Sequence, residues 1–129
     1  MPRPVSKNAL ERKTPMHELT IVQHFVGTTD QAAAQRGIQQ VKRVTLNVGA
    51  LTGVIPKYVR MYYDEVCEGT RLEGSELDIN YLEAEAFCRG CGNMYDPTKT
   101  DDKCPECGDT DKEIIQGKEL TVRDIAYEE

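Results

Sequence analysis

Two Cys-x-x-Cys pairs, Cys88/Cys91 and Cys104/Cys107, limit what this chain can fold into more than any other feature. Each pair presents two thiolates from one tight turn. The twelve residues between the pairs, Gly92 to Lys103, let the chain fold back until the turns meet in a tetrahedral four-sulfur site. A glycine follows the second cysteine of each pair (Gly92, Gly108), which suits a turn that needs positive φ and aims backbone N–H groups at the sulfurs. The spacing predicts a structural zinc ribbon. Two disulfides are the bland alternative, disfavoured by the spacing and by the absence of a secretion signal. Iron in a rubredoxin-like site takes the same four ligands, so the residues alone leave zinc and iron both open.

The chain has 129 residues, 29% of them charged and 39% hydrophobic, which fits one soluble domain with a small metal-held appendage. No apolar run approaches the roughly 20 residues of a membrane span, and none resembles a signal-peptide core, so no membrane association and a cytoplasmic location are expected. The formal charge of −6 argues against nucleic acid as a partner, because a nucleic-acid-binding ribbon needs a basic face for phosphates. Catalysis is not expected either. The chain has two histidines, and four thiolates around one ion leave no open position for an activated water. The fifth cysteine, Cys67, falls in an apolar helical pattern and is expected to be a buried, inert thiol.

Residues 1–15 differ from the rest: three prolines, four basic residues and one acid, with no apolar stretch. They are expected to be a flexible leader or extension. From His17 to Arg36 the spacing of Ile21, Val22, Phe25, Val26, Ala32 and Ala33 predicts a helix, with Gly37 as its C-cap. Val44, Leu46 and Val48 then alternate with polar residues in a strand ending at Gly49. Pro56 opens a second helix in which Val59, Tyr63, Val66 and Cys67 share a face, closed by Gly69 or Gly74. Leu77, Ile79 and Tyr81 alternate into a strand that should run on to Phe87 and the first cysteine pair. Leu120 and Val122, then Ile125 and Tyr127, predict a last strand whose phase slips near Arg123–Asp124, as a β-bulge would make it. The strands flanking the ribbon are expected to pair antiparallel, with the ribbon at the tip of their hairpin. The expected fold class is α+β: two helices on a three-stranded, mainly antiparallel sheet, with an inserted zinc-ribbon subdomain.

A second candidate site lies at Met16-His17-Glu18, where the first helix begins. If translation starts at Met16, its α-amine, the His17 imidazole and the deprotonated amide between them can bind one metal in a plane. Planar nitrogen donors suit Ni²⁺ or Cu²⁺ better than Zn²⁺. A surface histidine beside a glutamate that favours the helix dipole is the bland reading of the same residues. His24 lies about 10.5 Å further along the helix, too far to share an ion with His17.

These elements in this order resemble the hydrogenase nickel-incorporation metallochaperones, the HypA/HybF family. The residues that carry the resemblance are Met16-His17-Glu18-Leu19, an α/β segment, Glu83-Ala84-Glu85-Ala86-Phe87 leading into the double Cys-x-x-Cys, and Gly117-Lys118-Glu119-Leu120 leading out. The resemblance spans Met16 to Glu129. It implies a nickel-binding α/β domain of residues 16–86 plus 118–129, with Met16, His17 and Glu18 as the nickel-binding residues, Ni²⁺ being held through the Met16 amine, amide nitrogens and the His17 imidazole with Glu18 adjacent. It also implies a zinc-ribbon subdomain of residues 87–117, with structural Zn²⁺ on Cys88, Cys91, Cys104 and Cys107. The implied role is delivery of transferable Ni²⁺ to a nickel enzyme, chiefly [NiFe]-hydrogenase. The implied partners are a nickel-binding GTPase (HypB-like), the hydrogenase large subunit and, for some members, urease maturation proteins.

One departure matters. Thr14-Pro15 precede Met16, so the nitrogen of Met16 is here a peptide amide. The functional form is therefore expected to begin at Met16. The competing class is a zinc-ribbon adaptor with no transferable metal, which accounts for the cysteines and leaves His17-Glu18 to chance.

Overall fold

The computed structural model describes residues 16–128, and the expected leader of residues 1–15 lies outside them. Helix α1 is Met16–Gln35, and Gly37 ends it in the left-handed conformation that the C-cap position favours (φ 73°). Strand β1, Val41–Gly49, follows, then a 3-10 turn at Ala50–Thr52 and helix α2, Pro56–Cys67, which has proline at its first position. Strand β2 is Glu76–Leu82 and the last strand, β6, is Leu120–Tyr127. Between them lie β3 (Glu85–Cys88), β4 (Met94–Tyr95) and β5 (Lys112–Gln116).

The expected α+β class holds: two helices, one three-stranded main sheet and an inserted subdomain with a small sheet of its own. The main sheet has the order β2-β1-β6, with β1 parallel to β2 and antiparallel to β6. The parallel pair follows from the crossover through α2, because two strands joined by a helix return in the same direction.

The expected hairpin is corrected by this topology. β2 and β6 flank the insertion in sequence but do not pair, because β1 lies between them. The strand through Leu77 and Tyr81 also does not run on to the cysteines. It stops at Leu82, turns at Glu83–Ala84, and restarts as β3 in the second sheet, ordered β4-β3-β5. The antiparallel pair at the base of the cysteine loops is β3 with β5.

Both helices bury their apolar faces on the main sheet. Val22, Phe25 and Val26 of α1 and Val59, Tyr63 and Cys67 of α2 share one core with Val41, Val44, Leu46 and Val48 of β1. Cys67 is buried as expected, and burial pushes its thiol up. The Tyr63 hydroxyl is satisfied inside this core by Ser75 Oγ at 2.6 Å. The phase slip in β6 is a bulge: Thr45 pairs with Asp124 and the next residue, Leu46, with Val122, which leaves Arg123 as the extra residue.

The two sheets meet at a neck of backbone. Gly49 donates its N–H to the Glu119 carbonyl (2.7 Å) and Leu51 to the Gly117 carbonyl (2.8 Å). A Cβ on Gly49 would collide with the Gly117 carbonyl, so only glycine allows this approach.

Gly49→Ala is therefore expected to cost about 1–3 kcal/mol, read as a lower urea midpoint. Gly27→Ala provides the contrast: it lies inside α1 with nothing within 4 Å of an added Cβ. It is expected to raise the midpoint by about 0.5–1 kcal/mol of added helix stability.

Candidate metal centres

The cysteine cluster is built from two turns of the same design. In the first, Cys88 takes a hydrogen bond on its carbonyl from Gly92 N–H (2.8 Å) and donates its own N–H to Asn93 O (2.9 Å). In the second, Cys104 stands in the same relation to Gly108 (2.8 Å) and Asp109 (3.0 Å). Gly92 and Gly108 both have positive φ, 81° and 78°, as their places in the sequence require.

All four sulfurs lie within 4.8 Å of one another. Cys88 Sγ is 3.5 Å from Cys107 Sγ, and Cys91 Sγ is 3.6 Å from Cys104 Sγ, so the short separations run between the two turns. Four sulfurs at about 2.3 Å from one tetrahedral ion stand about 3.8 Å apart, and the observed cluster is close to that arrangement. None of the four cysteines is in a disulfide. The donor set fits a four-coordinate zinc-ribbon site.

Burial divides the set: Cys88 and Cys104 are buried, Cys91 and Cys107 exposed. The thiols differ in acidity as well. Loss of hydration works against the Cys104 thiolate, but the backbone N–H groups of Cys107 and Glu106, together with the neighbouring Cys91 and Cys88 thiols, outweigh it and bring the thiol down to about 6. The Glu106 N–H lies 3.4 Å from Cys104 Sγ. At Cys91 a backbone hydrogen bond from Asn93 favours the thiolate. Lost hydration and the neighbouring sulfurs overcome it and push the thiol up to about 12.

Residues outside the Cys-x-x-Cys pattern also hold the loop. Asn93 Nδ2 approaches Cys104 Sγ at 3.8 Å. Lys112 of β5 pairs with Asp102 at 2.9 Å, pinning the stretch Asp101–Asp102, where both residues have positive φ (56° and 68°). The non-glycine αL pair has no local sequence signature beyond the tolerance of Asp for that region.

The second set of candidate residues is arranged differently. Met16 is the first residue of α1, and His17 is exposed in its first turn. Glu18, next in sequence, is fully buried (0% exposed) and accepts the Ile55 N–H on Oε2 at 3.0 Å. His17 thus faces solvent and Glu18 the core, about 100° apart around the helix. His24 is exposed two turns further on. Among the described residues, the four cysteines are the one group of three or more His, Cys, Asp or Glu side chains close enough to share an ion. No helix of the described residues is long and apolar enough to cross a membrane.

Residues 16–127 match the family model for hydrogenase/urease nickel incorporation, metallochaperone, hypA. The chain is 35% identical over 113 residues to hydrogenase maturation factor HypA of Acidithiobacillus ferrooxidans, covering 88% of this chain and 100% of that one. It is 36% identical to hydrogenase maturation factor HybF of Salmonella typhimurium, with the same coverage of both chains. In three dimensions it is similar to the solution structure of the Ni metallochaperone HypA from Helicobacter pylori. The TM-score there is 0.61 at 19% identity, over 85% of this chain and 96% of that one. A second solution structure of a HypA protein gives a TM-score of 0.64 at 20% identity, over 87% and 96%. The cysteine cluster, the helix that opens on Met-His-Glu and the match across residues 16–127 agree: the chain belongs to the HypA family of hydrogenase/urease nickel-incorporation metallochaperones.

Proposed function

We propose that this protein binds Ni²⁺ at the start of α1 and delivers it to a nickel enzyme, [NiFe]-hydrogenase first among them, without catalysing a reaction itself. The observation that carries the reading is the exposed His17 in the first turn of α1. The amide nitrogens of that turn are among those that intrahelical bonding leaves out. A deprotonated amide, the His17 imidazole and the Met16 nitrogen offer planar donors that suit Ni²⁺, with Glu18 adjacent. An open, solvent-exposed site gives cargo up more readily than a closed cage.

Residues 16–86 with 118–129 form the nickel-bearing part, and residues 87–117 form the ribbon, which holds Zn²⁺ through Cys88, Cys91, Cys104 and Cys107. Zinc there supplies folding energy and no chemistry. The partners are a nickel-binding GTPase and the hydrogenase large subunit, with urease maturation proteins as further recipients, all in the cytoplasm. The form that works begins at Met16, because an α-amine binds nickel far more readily than the peptide amide it replaces.

Nickel titrated into zinc-loaded protein that begins at Met16 is expected to bind one-to-one with a square-planar visible spectrum, and His17→Ala to abolish that spectrum without lowering the melting temperature. The full chain is expected to bind more weakly. Equal binding in both forms would move the ligands off the amine. No second metal in either form would leave an adaptor ribbon.

The ribbon makes a separate prediction. A thiol binds a metal as its thiolate and ordinarily titrates at about 8.5, so at pH 7 a metal bound by the four clustered cysteines displaces protons. Zinc added to the metal-free protein at pH 7 is therefore expected to release about one proton or more per ion, and zinc affinity to fall as the pH is lowered. A pH indicator in weak buffer reads this directly, and zinc uptake without proton release would contradict it.

A further inference from the structure

We infer that the Glu18 carboxylate stays outside the nickel coordination sphere and acts as a positioning residue, locking the first turn of α1 to the first turn of α2. The assignment rests on the proposal that the Met16–His17 start carries nickel.

Helix α2 has no cap of its own. Its N-cap residue is Ile55, in extended conformation (φ −101°, ψ 113°) with no side-chain cap hydrogen bond, and Pro56 has no N–H. A carboxylate at this end satisfies a backbone donor and meets the positive end of the helix dipole. Glu18 does this from α1, 37 residues earlier in the chain, with Oε2 3.0 Å from the Ile55 nitrogen. It is the one charged side chain among the buried residues of the described chain.

The consequence for the nickel end is geometric. Successive residues of a helix are turned by about 100°, so holding Glu18 inward holds His17 outward. To reach an ion beside His17, the Glu18 carboxylate would have to leave the core and abandon the Ile55 N–H, which the α2 cap cannot replace. An ion held beside His17 would thereby be kept clear of the Glu18 carboxylate, with room left for water or for a donor from the acceptor.

Three substitutions in protein beginning at Met16 separate positioning from ligation. Glu18→Gln keeps the shape and an acceptor oxygen but loses the charge that a metal ligand needs. It is expected to bind nickel with the wild-type spectrum and to keep the Ile55 amide protected from hydrogen exchange. Glu18→Ala is expected to expose that amide, weaken nickel binding about tenfold and alter the spectrum, while zinc stays bound. Glu18→Asp, one methylene shorter, is expected to behave as Ala does. A carboxylate ligand would give the opposite order, with Gln losing nickel and Asp retaining it, and that result would overturn the assignment. Glu18→Ala with wild-type affinity and spectrum would overturn it as well. If wild type and His17→Ala bind nickel alike, the fault lies in the site proposed for nickel, and the positioning role falls with it even where Ile55 protection follows the expected order.

Discussion

Everything in the larger part of the molecule depends on β1 having a neighbour on each side. Val41, Val44, Leu46 and Val48 are almost wholly removed from water, and among the described strands theirs is the one in the main sheet bonded along both edges. The backbone groups of so buried a strand need partners along its whole length. β2 and β6 provide them from opposite sides, one parallel and one antiparallel. The helices then have a single apolar surface to cover. The same arrangement brings the end of β1 and the exit from the ribbon together at Gly49 and Gly117.

The ribbon rests on a different physical basis. Its buried set is Ala86, Cys88, Tyr95 and Cys104 with Ile114 partly covered, far too little apolar surface to fold on its own. Two of those four buried residues are sulfur donors, so this core and the metal site are largely the same atoms. The large core of the α/β part carries no such dependence. A division of labour follows: one part is held by its own packing, and the other needs a tie beyond packing, which the four clustered thiols are placed to provide. The backbone hydrogen bonds of the neck join the two.

Elements set by local chemistry were legible in the sequence. Gly37 after an amphipathic run, Pro56 before another, glycines after the cysteine pairs and the slip at Arg123 each encode a conformation within a few residues, and each is found in the fold. Strand pairing was less legible, because alternation shows which face of a strand is buried and not which strand lies beside it. β2 and β6 looked like a hairpin because they border the insertion. The decisive fact was the competing claim of β1 on both. Glu18 shows the same limit at a candidate site. Beside His17 it looks like a surface acid at a helix start, and its burial is decided by Ile55, 37 residues away. Likewise, nothing within the Cys-x-x-Cys pattern announces the Lys112–Asp102 clamp.

The bulge at Arg123 has an effect beyond absorbing a register slip. β6 ends the main sheet on one side and would otherwise offer a row of evenly spaced backbone donors and acceptors to any extended chain. An extra residue in mid-strand breaks that spacing and adds twist, beside two exposed, oppositely charged side chains, Arg123 and Asp124. Such an edge deters the indiscriminate strand-to-strand association by which exposed sheets aggregate.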